Sequence, residues 1–99
     1  MIGLELVMPL LTDFVRKGVL SIARLSEALS AAPARIIGIE APSLAVGAVA
    51  ELTLVQPDAK VVIDKLASKS KNTPFWGKRF EGAVALTLAG GRVIHDALP

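Results

Sequence analysis

The sequence has no cysteine and no tyrosine, and only one histidine and one tryptophan. Without cysteine there can be no disulfide, no thiolate metal ligand and no thiol nucleophile, and the composition suits a reducing cytosol. His95 alone cannot supply a histidine-based metal centre. Asp13, Asp58, Asp64 and Asp96 are scattered, and no loop shows the regular acidic spacing of a calcium site. Long apolar runs are also missing. "LAVGAVA" (Leu44–Ala50) falls far short of the ~20 residues that a membrane-spanning helix needs. The apolar start "MIGLELVMPLL" carries Glu5 and lacks both a basic leading region and a cleavage site, so it does not read as a signal peptide. The net charge of +2 is small for a nucleic-acid binder, although Lys60, Lys65, Lys69, Lys71, Lys78 and Arg79 crowd one third of the chain.

What remains is an aliphatic chain of 99 residues, enough for one small core. Leu4, Val7, Met8, Leu11, Phe14 and Val15 recur at helical spacing, which predicts a helix over 4–17 that Gly18 ends. Pro9 fits only if the regular hydrogen bonding begins near residues 6–9, or if the helix kinks there. Ser21 is a good N-cap for a second helix over 22–30, and Pro33 opens a short third helix closed by Gly38. From Ser43 onward the residues become β-rich. Strands are expected over 51–56 and 60–64, separated by a Pro57-Asp58 turn. Residues 65–79 read as a loop, and 81–88 with 92–95 as a hairpin turning through Ala89-Gly90-Gly91. The expected fold class is α+β: N-terminal helices, then a small, mostly antiparallel sheet ending in a hairpin.

No catalytic, substrate-binding or metal-binding residue is assigned. His95 reads as an edge histidine, and no serine sits in a G-x-S-x-G turn beside it. "LAGGRV" has the glycines of a tight turn but not the spacing of a phosphate loop. The stretch "SKSKNTPFWGKRFEG" (Ser68–Gly82) admits two readings. Its cations and aromatics could grip a single-stranded nucleic acid. Alternatively its lysines are solvated, Asn72 and Thr73 satisfy local backbone groups, and Phe75 and Trp76 pin the loop to a core. The second reading is preferred.

The order of segments resembles the C-terminal portion of dihydroorotases of the multifunctional-complex type, within the amidohydrolase superfamily. "GLELVMPLL" (Gly3–Leu11) is similar to that family's GLE-x-x-x-PLL helix, and "SAAPARIIGI" (Ser30–Ile39) to its NPARILG segment. "LAVGAVAELTLVQPD" (Leu44–Asp58) resembles its G-x-x-ADL strand, and "SKSKNTPFWGKRFEGAVALTLAGGRVIHD" (Ser68–Asp96) its closing loop and hairpin. Ala32 stands where the family has the Asn of NPAR, which removes a side-chain cap, and Glu51 replaces the Asp of ADL.

The resemblance implies that residues 1–40 correspond to the end of an amidohydrolase barrel, and residues 41–99 to the C-terminal part of a composite β-domain. It also implies a cytoplasmic, zinc-dependent cyclic amide hydrolase of pyrimidine biosynthesis. That family's metal ligands and catalytic Asp lie upstream of the matched segments. The expectation is therefore a structural part that is inactive alone, whether from a truncated reading frame or a split enzyme. Its partner would be an N-terminal barrel or a second copy. The alternative is a non-catalytic relic that binds a barrel subunit or aspartate transcarbamoylase.

Overall fold

A computed structural model describes residues 1–99. Leu4–Leu6 form a 3-10 turn that runs directly into helix α1, Val7–Arg16. Pro9 is thereby the third helical residue, where a missing N–H leaves no intrahelical bond unmade. At the other end the Gly18 amide donates to the Val15 carbonyl and the Val19 amide to that of Phe14, with Gly18 at φ 73°. This is the paired closure that a left-handed glycine permits. Gly38 closes the later helix in the same way, onto Arg35 and Ala34.

The expected second and third helices are instead one continuous helical run. Helix α2, Ile22–Ser26, is capped by the Ser21 hydroxyl, which accepts from the Arg24 amide. It passes through a π-helical turn, Glu27–Ala31, into helix α3, Ala32–Ile37. Pro33 explains the wide turn. A proline can neither donate to the carbonyl four residues back nor leave room for it, and a switch to bonds of longer span just before it relieves both. The Ala32 amide accordingly donates to the Glu27 carbonyl.

Three antiparallel strands follow in the order β1-β2-β3: β1 Leu52–Val62, β2 Arg79–Ala89 and β3 Arg92–Asp96. The two short strands expected on either side of Pro57 are a single strand. Pairing runs to Gln56↔Ala83 and resumes at Lys60↔Glu81, so Pro57-Asp58-Ala59 bulges outward opposite Gly82. A proline is tolerated there because an edge strand need not donate from every amide. The closing hairpin turns on Gly90 and Gly91 alone, both at positive φ, and Ala89 belongs to β2. Glu51 holds that turn by accepting the Gly90 amide at 2.7 Å.

Helix α1 crosses β2 at Gly82, which has φ +118°. A Cβ added there would lie 2.7 Å from the Thr12 Cβ and Oγ1. Thr12 is buried, and its hydroxyl donates to the Met8 carbonyl one turn back. At the end of α1 the Arg16 guanidinium donates to the Pro57 carbonyl at 2.8 Å and pairs with Glu81 at 3.3 Å, tying helix, bulge and β2 together. The main core lies beside this crossing, where Leu6, Ile63 and Leu66 meet, backed by Ile2, Leu10, Val61, Phe75 and Phe80.

Elsewhere the chain is open. Its accessible surface of 7222 Å² compares with about 5,400 Å² for a compact monomer of this mass. The radius of gyration is 14.6 Å, against about 12.6 Å for a compact chain of this length. Ile36, Ile37, Ile39, Leu44, Val46 and Val49 form a run of exposed aliphatic side chains that starts in α3 and continues beyond it.

Replacing Gly82 with Ala is expected to cost about 3 kcal/mol, from overpacking together with backbone strain. Adding Thr12→Ala should recover the packing share and leave the strain. Urea unfolding of the two variants and the double variant checks this, with Gly3→Ala, where a Cβ meets nothing within 4 Å, as a near-neutral control.

Candidate functional site

The basic, aromatic stretch is an ordered loop closed at its base. The Ile63 amide donates to the Lys78 carbonyl at 3.0 Å, and the Gly77 amide to the Ile63 carbonyl at 2.8 Å. Phe75 packs against the core and meets Phe80 edge to face, with ring centroids 5.9 Å apart. The Lys78 ammonium lies 5.5 Å from the centre of the Phe75 ring. The Trp76 indole N–H donates to the Lys71 carbonyl. Buried Thr73 turns the chain ahead of Pro74, its hydroxyl accepting from the Phe75 amide at 3.2 Å. Asn72 contributes its backbone carbonyl, which accepts from the Ile2 amide. Phe75 is thus held against the core as expected, whereas Trp76 stays exposed and is tethered to the loop only through its indole N–H, so it does not pin the loop to the core.

Glu5 fastens this loop from the helical side. Its two carboxylate oxygens accept the amides of Ala67 and Ser68, each at 2.8 Å. These two bonds, Ala67's first, hold the carboxyl below its ordinary range, and the Lys71 charge adds to the effect while desolvation opposes it. Lys71 in turn donates to the Leu66 carbonyl at 3.1 Å. From the sequence Glu5 reads as a partner for a helix dipole. Its second role has no local signal, because the amides it binds lie more than sixty positions away.

Two clefts flank Met8, Val84 and Thr87 on the helix-bearing face of the sheet. One, of about 980 Å³, is also lined by Glu5, Leu66 and His95. The other, of about 740 Å³, lies under Ile22, Leu25, Leu29 and Leu44. His95 sits on β3 opposite Thr87, with an exposed side chain. Asp13 is engaged by Lys17 and Arg16, Asp58 lies in the bulge, Asp64 just past β1, and Asp96 at the end of β3. No three His, Asp or Glu side chains gather where they could hold a metal ion. The donor set of this chain does not fit a zinc site. Both clefts are open troughs with mixed, mainly apolar linings. No helix is long and apolar enough to cross a membrane.

The lowered Glu5 carboxyl sets a pH dependence with a definite sign. Its folded-state affinity for protons is below the unfolded one, so the clamp contributes fully above the ordinary value of 4.5 and is lost as pH falls below it. Trp76, the sole tryptophan, reports the loop directly. Its fluorescence should show the loop loosening below about pH 4.5, whereas Glu5→Gln should show a loosened loop already at neutral pH and little further change on acidification.

No family model matches the chain. Curated relatives do. It is 46% identical over 96 residues to a dihydroorotase of Pelobacter propionicus, a match covering 95% of this chain and 23% of that protein. It is 43% identical to a dihydroorotase of Geotalea daltonii and 35% identical to one of Aquifex aeolicus, with the same shares covered. The chain thus spans under a quarter of the length of these relatives. Over nearly its whole extent, it corresponds to one portion of a dihydroorotase.

Proposed function

We propose that this chain is the C-terminal structural part of a cytoplasmic dihydroorotase, and that it does not hydrolyse dihydroorotate alone. The observation that carries this reading is the mismatch between kinship and chemistry. Identity of 46% extends over 95% of the chain, yet its side chains assemble no metal-binding group. Hydrolysis of a cyclic amide in this family is expected to use zinc, which activates water when bound. The ligands would come from the larger portion of the relatives that this chain does not match. Residues 1–40 would then close the outside of a barrel, and residues 41–99 would complete a β-domain beside it.

The open surface supports the same reading. The aliphatic run from Ile36 to Val49 and the two apolar clefts have the character of faces normally covered by further chain. They equally favour a second reading, a non-catalytic module seated on a separate barrel subunit or on aspartate transcarbamoylase. The two differ in what restores activity.

The purified chain with added zinc should show no dihydroorotate turnover above buffer, and turnover by the chain alone would overturn the proposal. Mixing it with a dihydroorotase lacking the matched portion should restore turnover on the structural reading. Capture of aspartate transcarbamoylase without such restoration favours the module.

A further inference from the structure

The helical and β parts of this chain are joined by a connection that adds no hydrogen bond between them. Residues 39–49 are exposed throughout, with Leu44 at 84%, and form neither helix nor strand. Their hydrogen bonds are few and local. The Ile39 amide donates back to the Ala34 carbonyl, the Ala45 amide to the Ser43 hydroxyl, and the Ala48 amide to the Ala45 carbonyl. The first anchored residue beyond them is Ala50, whose carbonyl accepts the Gly91 amide.

The contacts that do join the two parts come from the opposite end of the helical segment. The Ile2 amide donates to the Asn72 carbonyl at 2.9 Å, and the Glu5 carboxylate accepts two loop amides at 2.8 Å. Leu6 is buried with Ile63 and Leu66, Thr12 sits against Gly82, and Arg16 reaches the Pro57 carbonyl and Glu81. Residues 1–17 therefore carry both polar and apolar anchors for β1, β2 and the loop between them. An interface so equipped does not need a covalent link between its halves. The link only raises the concentration at which each half meets the other.

The same connection is the stretch best suited to an endoprotease. Proteases bind several residues in extended form, which helical or paired backbone supplies only by opening. The Lys17–Ser21 connection is short and held by the Val19 amide on Phe14, while the 63–79 loop is fastened by Glu5 and closed at its base. Leu44-Ala45-Val46-Gly47-Ala48-Val49 offers the small aliphatic side chains that fit the small specificity pocket of an elastase-type serine protease. Cleavage adds water across one amide, leaving a carboxylate on the N-terminal piece and an ammonium on the C-terminal piece. Both new charges arise at exposed positions.

We propose that residues 50–99 form a binding site for residues 1–38 that persists after elastase-type hydrolysis within 39–49, so that the nicked protein is a complex of two pieces. The complex does not depend on the hydrolase relationship.

Brief treatment of the full native chain with pancreatic elastase, followed by mass spectrometry, should place the first cut between Leu44 and Ala50. That cut should be at least roughly tenfold faster than any other internal one. On gel filtration at micromolar concentration the two pieces should elute together. Glu5→Gln keeps the cleavage site and removes the charge-assisted bonds to Ala67 and Ser68. Its nicked pieces should dissociate at least roughly tenfold more readily on dilution, whereas nicked Gly3→Ala should match the native chain. A first cut elsewhere, such as in the 63–79 loop, overturns the proposal. So does separation of the native pieces at micromolar concentration. Joint elution that Glu5→Gln leaves unchanged overturns it as well, because the pieces are then held by the Ile36–Val49 run and not by the anchors of residues 1–17.

Discussion

The close crossing of α1 over β2 at Gly82 is the constraint on which the rest of this structure depends. Only a residue without a Cβ lets Thr12 approach so near, and only glycine adopts φ +118° there without strain. The bulge at Pro57–Ala59 lies across the ladder from that glycine, and Arg16 locks bulge and helix together. Once α1 is seated, the 3-10 turn before it carries Leu6 into the small core and Glu5 to the loop amides. One helix–strand contact therefore fixes the position of the most distinctive loop in the sequence.

The balance of order and exposure follows from that arrangement. Firm packing is concentrated where α1, the end of β1 and the loop converge. The polar contacts of α2, the π turn and α3 are mostly exposed, as in the Glu27 pairs with Arg24 and Arg35, and exposed pairs contribute little. The main core therefore sits in one part of the molecule, while the aliphatic residues of 36–49 are bare. The match covers 23% of the length of the Pelobacter propionicus dihydroorotase.

Much of this was legible in the sequence, and the parts that were not share a cause. Helix ends at Gly18 and Gly38, the Ser21 cap, the tight glycine turn and the α+β order all rest on local chemistry. Phe75 as a loop anchor was legible too, because an aromatic between proline and glycine has few other uses in a small chain. The errors came where a residue answers to a distant neighbour. Pro57 looks like the end of a strand until β2 pairs on both sides of it, and Pro33 looks like a new helix start until a π turn absorbs it. The roles of Glu5 and of Thr12 against Gly82 join residues far apart in sequence, where spacing carries no information.

Native-state hydrogen exchange on the chain tests the central claim most directly. Amides of α1 and of β2 around Gly82 should be the slowest to exchange, with residues 36–49 exchanging at nearly the rate of unfolded chain. Uniform protection across both regions, or slower exchange in 36–49 than at the crossing, would contradict the account.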